Sequence, residues 1–538
     1  MFMMMWGGGT SGGVTNDIGI PGGAGFGVGV VPSVPTGFTA LTGATDSTRT
    51  HDNFGNYQYQ EGSICVWRPL AYYRIGHVDN PTYGTYGVNS IDVKPESYFA
   101  DVTAANAAGY ALHRVFYDGG VIKRGYMEDK YINSQNAWGA GYIASSIKNG
   151  NPITAHQNHN PVAGLTACSV NQLYEFINAA HARDGIDGAI NPNSIWFPAS
   201  RFIDSWRAIL TAAHGQAATS TEFCAWYDAA GVKNFPKGCN NNALGDTNDA
   251  AVKWESDGYS NCGKAGSAGY GGGAGNDYRK AMCNGQACGV ADANSLVWTV
   301  ALGFTSIVSS VAIAGLSRSN PCVVSWTGHG MTTGAFVQID GVTQANWTVL
   351  KDKIFTITRI DDDLCSLDGV DTSGIALDYD PVFDPGTIKK GTFYIAQTTT
   401  AMKDFTSGAA AMTDHWGATG VANMMTPVPV VFESAYPNNG FAQRYGDGAN
   451  QVLPADVSGS NWRLAGLGFP SSATGVSVAG TNLFGADYYY QYLQDNCFLL
   501  SGGFWYYNAD AGVWAARWDY DRARTSILVG VRCACYPV

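Results

Sequence analysis

At 538 residues the chain is long enough for two or three domains, each able to bury a core without disulfides or metals. Charged residues are only 14% of it, against 68 glycines and 12% aromatics, a mixture that suits turn-rich β structure and loop-rich surfaces rather than helical bundles. The formal charge of −12 comes without a basic run or stripe, which argues against nucleic acid or an anionic membrane as partner, and no stretch approaches the ~20 apolar residues of a membrane span.

The opening residues, MFMMMWGGGTSGG, lack the charged start, apolar segment and small-residue cleavage site of a secretory signal, so synthesis in a cytoplasm is expected. Residues 1 to about 40 are Gly, Val and Pro with almost no charge, a composition that predicts an arm ordering only against a partner. From about 50 to 90, YQYQ and ICVWRPLAYYRI lie between Gly, Asn and Pro turns and predict short strands packed on a neighbour.

Two helices stand out further on. In SVNQLYEFINAAHARDG, Ser169 and Gln172 form a capping-box pair, Leu173, Phe176, Ile177 and Ala180 share a face, and Gly185 marks the stop. In FPASRFIDSWRAILTAAHG a helix should begin near Ser200, turn Phe202, Trp206, Ile209 and Leu210 inward, and end before Gly215. Between about 215 and 290 the chain is rich in Gly, Asn and Asp and reads as loop, with GKAGSAGYGGGAGNDYRK lacking the strand-then-helix context of a phosphate cradle.

From about 305 to 390 the pattern changes to period two. Val337 and Ile339 alternate with Gln338 and Asp340, and Phe355 and Ile357 with Thr356 and Thr358, which predicts a small antiparallel β module. The mixed, aromatic style of the earlier region then resumes, so an insertion inside one domain explains the order best. Near the end, Ile527, Val529, Val531 and Cys533 are expected to face the core of the last strand, with Leu528, Gly530 and Arg532 on its other side.

Candidate chemistry is sparse. His156 and His159 have H-x-x-H spacing without an evident third ligand, and they read as a polar loop. His329 sits in a Gly-flanked turn, where local hydrogen bonding is expected. Asp361, Asp362 and Asp363 lack the calcium-loop pattern and read as a solvated hairpin turn. The close cysteine pairs, Cys283 with Cys288 and Cys533 with Cys535, lack zinc-site spacing and read as buried thiols, so neither a metal nor another cofactor is expected.

Several segments, in this order, resemble the C-type-lectin fold in its formylglycine-generating-enzyme-like form, as found in phage tail-fibre and receptor-binding proteins. They are GYMEDKYINS from Gly125, WFPASRFIDSW from Trp196, GVADANSLVW from Gly289, and SGGFWYYNADAGVWAARWDYDRARTSILVGVRC from Ser501. The stretch from Pro321 to Gly374, with Gly328-His329-Gly330-Met331-Thr332-Thr333-Gly334, is similar to a small β module of phage tail proteins. Two departures bear on function. Ser295-Leu296-Val297-Trp298-Thr299-Val300 keeps only the Val-Trp of the family's strand, and no cysteine lies between Phe498 and Arg532, where the enzymatic members carry their copper-binding pair.

The resemblance implies an α+β fold. A Gly-rich N-terminal arm with virion-docking strands would span 1–94, a lectin-like domain 95–304 and 391–538, and an inserted antiparallel β module 305–390. It implies a non-enzymatic bacteriophage virion protein, a tail-fibre or tail-tip adhesin made in the host cytoplasm and assembled into the tail. Its partners would be other tail proteins and a host cell-surface receptor, protein or glycan, and it would be a homotrimer without nucleic-acid binding or membrane insertion. The alternatives are a structural tail or capsid decoration protein with intersubunit contacts only and, less favoured, a formylglycine-generating-type oxidase.

Within FWYYNADAGVWAARWDYDRA, Trp505 and Trp514 match the family's packing positions, as does Trp298 upstream. Tyr506, Tyr507, Asn508, Arg517, Trp518, Tyr520 and Arg522 are the expected receptor face, because Tyr, Trp and Arg combine large rigid area with polar tips.

Overall fold

A computed structural model describes residues 16–118, 121–148, 152–155, 172–191, 193–224, 227, 239–240, 243–244, 283–291, 293, 297–396, 425–428, 489–504, 512–526 and 528–537. Among these the chain is mostly β with few helices, so the expected α+β mixture is weighted strongly towards β.

In chain order, β1 (Phe38–Ala40), β2 (Asn56–Tyr59), β3 (Ile64–Pro69) and β4 (Gly125–Asp129) are followed by helix α1 (Phe176–His181), β5 (Trp196–Pro198) and helix α2 (Arg201–Ala217). Then come β6 (Trp298–Ala301), β7 (Phe304–Ala312) and, beyond the insert, β8 (Thr387–Ala396). The chain closes with β9 (Tyr489–Gln491), β10 (Cys497–Ser501), β11 (Ala516–Asp521), β12 (Val529–Gly530) and β13 (Cys533–Cys535).

One six-stranded sheet runs β1-β2-β3-β4-β13-β5, antiparallel at every pair, so the last strand of the chain is threaded between two early ones. A five-stranded sheet runs β9-β11-β10-β6-β12. There β6, before the insert, pairs with β10, after it, with Thr299 opposite Ser501. The residues between them therefore interrupt one folding unit. They leave on β7 and return on β8, paired from Phe304 with Ile395 to Ala312 with Thr387. Phe304 at one end of this ribbon belongs to the core of the body, whereas Ile388 at the other belongs to the core of the insert with Val337, Ile339, Phe355 and Ile357.

The strand Phe336–Asp340 departs from strict alternation in one respect: Gln338 is also buried. Its face meets the body, and its Oε1 accepts the backbone N–H of Leu493 at 2.6 Å. Beside it Asp340 accepts from Lys389 Nζ at 2.7 Å and from the Tyr492 hydroxyl, which fastens module to body.

The long helix begins after Ser200 as predicted, and Phe202, Trp206, Ile209 and Leu210 are all buried. It does not stop at Gly215 but runs on to Ala217, and it is buried nearly all round, its charged residues Arg201, Asp204 and Arg207 included. The first helix is short. A capping box is formed by Gln172 with Glu175, after which a 3-10 turn leads into α1; Ser169, expected to pair with Gln172, lies outside the described residues. The turn is fixed from outside, since Leu173 and Tyr174 donate their N–H groups to the carbonyls of Arg524 and Arg522. Leu173, Phe176, Ile177 and Ala180 are fully buried, as the spacing predicts.

The N-terminal segment corrects the expectation of an arm. Residues 1–15 lie outside the described residues, but from Ile18 to Val31 the chain is packed into the body, with Phe26 stacked on His214 at 5.2 Å. Its backbone is matched to its own chain: Gly22 N–H donates to His214 Nδ1 at 3.0 Å, Gly25 N–H to Gln286 Oε1 at 2.7 Å, and Val31 N–H to the Tyr57 hydroxyl at 3.0 Å. Glycine serves close approach here. Gly22 has φ +84°, and a Cβ on it would stand 2.7 Å from the Ala217 carbonyl oxygen. The same contact covers the last turn of α2 and explains why Gly215 does not end it. The Gly-rich loop around 263–280 lies outside the described residues.

Candidate functional site

The aromatic C-terminal stretch is organised by β11. In Ala-Arg-Trp-Asp-Tyr-Asp the odd and even positions face opposite sides, and burial alternates with them. Ala516, Trp518 and Tyr520 point inward, while Arg517, Asp519 and Asp521 form a half-buried outward row. Arg517 grips Asp519 with two hydrogen bonds, Nε to Oδ1 at 2.5 Å and Nη2 to Oδ2 at 2.7 Å. Its guanidinium carbon stands 4.6 Å from the centre of the Tyr520 ring, and that of the exposed Arg524 4.9 Å from the same ring.

Three of the expected receptor-face residues are therefore core. Trp518 is 1% exposed and meets Phe304 edge-on at 5.4 Å. Tyr520 is 9% exposed, and Arg522 is fully buried with its guanidinium carbon 5.2 Å from the Phe498 ring centre. Burial lowers Arg522 from its ordinary value to about 9, against the pull of Asp495. The physical reason is that β11 is an inner strand with β9 on one side and β10 on the other, so one of its faces must be covered. Arg517 alone among the described members of the set keeps a partly open side chain. Tyr506, Tyr507 and Asn508 lie outside the described residues, as does Trp505. Trp298 and Trp514 are fully buried, in line with the packing role expected of them.

The six-stranded sheet is braced by a set of buried charges that the sequence pattern did not reveal. β4 carries two acids in a row, and alternation sends them to opposite faces. Asp129 meets Arg183, whose Nη1 donates to both carboxylate oxygens at 2.9 Å while Nε donates to Glu61 at 2.9 Å. All three side chains are fully buried, and the Arg183 guanidinium lies 3.5 Å over the Trp196 ring. Burial opposes charge on Arg183, but Asp129 and Glu61 outweigh it and hold the guanidinium protonated well above its usual range.

Glu128, on the other face, accepts from Arg68 Nε at 3.1 Å and from Arg207 Nε at 2.9 Å, and Arg207 also pairs with Asp204. Burial raises the Glu128 carboxyl, yet the two arginines more than compensate and its pKa falls. The closing strand is fastened to the same place. Arg532 Nη1 donates to the Asp129 carbonyl at 2.8 Å, and Cys533 N–H donates to Asp129 Oδ2 at 2.9 Å. Both faces of the last segment are thus buried, where alternation alone assigned Arg532 to the side away from the core. The only available sequence signal was the adjacent acid pair inside an otherwise strand-like segment.

The remaining candidates are structural. His329 is buried in its turn, accepting from Met331 N–H at 3.0 Å and facing the Leu364 carbonyl at 3.3 Å, the local role expected of it. Asp361 and Asp363 cap the hairpin through the N–H groups of Asp363 and Gly328, and Asp362 pairs with Arg359. Cys283, Cys288, Cys533 and Cys535 are buried. Burial pushes the Cys533 thiol upward, and it donates to Asn133 Oδ1 at 2.9 Å. His156 and His159 lie outside the described residues. Among the described residues no group of three or more His, Cys, Asp or Glu side chains is placed to hold a metal ion, and no helix is long and apolar enough to cross a membrane. In sequence comparison, no protein-family model and no curated protein matches the chain.

Proposed function

We propose that this chain is a non-enzymatic bacteriophage virion protein, a tail-fibre or tail-tip adhesin that engages a host-surface receptor beside the outward row of β11. The observation that carries the reading is the closure of the fold: β13 lies between β4 and β5, and β6, β10 and β11 stand side by side in the second sheet. This supports a lectin-like architecture of the formylglycine-generating-enzyme type, with the β insert presented on the β7–β8 ribbon. The chain between β10 and β11, which carries Tyr506, Tyr507 and Asn508, starts and finishes on strands paired with each other.

Arg517, on the strand that follows that segment, and the exposed Arg524 would supply donors for the carbonyl, hydroxyl or carboxylate groups of a protein or glycan receptor. Copies of the chain on one particle would multiply weak single sites. The test is a triple substitution, Tyr507→Ala, Arg517→Ala and Arg524→Ala, in assembled particles. Adsorption to host cells should fall about tenfold or more with normal particle yield; unchanged adsorption by correctly assembled particles overturns the reading.

A further inference from the structure

We propose that the insert is seated on the body by a proton-operated clasp: Asp340 and Asp352 hold one proton between them, and the contact with Tyr492 and Leu493 loosens when that proton is lost. The strand Phe336–Asp340 pairs with the strand Lys353–Arg359 in a register that sets Gln338 opposite Ile354 and Ile339 opposite Lys353. One residue further the same register sets Asp340 opposite Asp352, whose N–H donates to the Ile339 carbonyl at 2.7 Å. Alternation then puts Gln338, Asp340, Asp352 and Ile354 on one face, and Lys353 on the other. That face is turned to the body: Ile354 belongs to the body's core, Gln338 accepts from Leu493 N–H, and Asp340 accepts from the Tyr492 hydroxyl.

The Asp340 and Asp352 carboxyls share a hydrogen bond. Two carboxylates have no proton with which to make such a bond and repel each other, so one of them must be protonated while the contact is closed. The surroundings select which. Lys389 Nζ donates to Asp340 Oδ2 at 2.7 Å and to the Tyr492 hydroxyl at 3.1 Å, and Gly341 N–H donates to Asp340 Oδ1 at 2.7 Å. Burial raises the Asp340 carboxyl, but Lys389, Tyr492 and Asp352 outweigh it and hold it well below the usual carboxylate range. Asp352 is the protonated member, raised by burial and by Asp340 against the pull of Lys351 and Lys389. Loss of its proton leaves like charges directly opposite each other on neighbouring strands, in a half-buried contact. Asp352 keeps its proton above the ordinary 3.8, so its contribution is fully present below that value and is lost as pH rises through the raised one. Further along the β9–β10 connection, Val308 N–H donates to Asp495 Oδ1 at 2.9 Å and Asn496 N–H to the Ser306 carbonyl at 3.0 Å. The ribbon therefore stays anchored when the clasp opens. The inference does not depend on the receptor reading.

The test is hydrogen exchange of the purified full chain at a series of pH values, corrected for the intrinsic pH dependence of exchange and read at the peptide carrying Leu493. Wild-type protection there should fall by roughly threefold or more between about pH 4 and about pH 7. Asp352→Asn should make it independent of pH, because the amide donates to Asp340 throughout, and asparagine suits the φ of +59° at this position. Asp352→Gly removes the second carboxyl without backbone strain and should abolish the dependence as well. Global unfolding cannot imitate the result, since burial keeps His214 neutral and so makes acid weaken the fold as a whole. Wild-type protection that does not change with pH, or either variant keeping the wild-type profile, overturns the proposal.

Discussion

Replacing Arg183 with methionine removes the cation from between two buried carboxylates. Its three hydrogen bonds to Glu61 and Asp129 vanish, and both acids are left at a site with no solvent exposure. Breaking a buried pair by removing one partner costs about 3–5 kcal/mol, and loss of the guanidinium over Trp196 adds up to about 2 kcal/mol. Against a native stability of ~5–15 kcal/mol this brings the body to the edge of unfolding. Guanidinium denaturation followed by tryptophan fluorescence and circular dichroism measures it. The insert has its own core, including Trp326 and Trp347, so its unfolding should stay where it is while that of the body moves to lower denaturant. Adding Asp129→Asn to the Arg183→Met chain should recover part of the loss, because one stranded charge is removed. A loss below ~1 kcal/mol, or no recovery in the double variant, would refute the view that these charges clamp the body.

Trp518→Ala should cost about 3–5 kcal/mol through an unfilled core site, whereas Arg517→Ala on the outward row should cost under ~1 kcal/mol; equal effects in denaturation would contradict the alternation assigned to β11. His214 is buried and neutral, its pKa lowered by burial from 6.5 to about 4. The unfolded chain therefore binds the proton that the folded chain refuses, and stability should fall as pH drops from about 6.5 towards 4, by up to roughly 3 kcal/mol; His214→Gln should flatten that part of a stability-against-pH curve. Gly22→Ala should destabilise the N-terminal segment by about 1–3 kcal/mol and speed its cleavage in limited proteolysis, which would stay unchanged if the segment were a free arm.

Much of the local order was legible from the sequence: the helix after Ser200, the inward face of α1, the period-two strands of the insert and the interruption of one unit by another. These follow from short-range rules, since the spacing of apolar residues within one element reports which of its faces is covered. The period of β11 was also written in Ala-Arg-Trp-Asp-Tyr-Asp, and reading that hexapeptide alone would have separated Trp518 and Tyr520 from the outward row. It was masked by the density of rings around it, which suggested a surface.

Other features were decided only in three dimensions. The glycines of the N-terminal segment look like flexibility in a string of letters and act as room for close packing once α2 lies against them. The charges of β4 are costly when alone and favourable when paired, and nothing local announces their partners. Arg532 reaches the Asp129 carbonyl across 403 positions of chain, and Arg183 reaches Glu61 across 122. Sequence thus dictated which residues alternate and which elements they form. Tertiary structure chose what covers each face, because burial and charge pairing depend on segments that meet only after the chain has closed on itself.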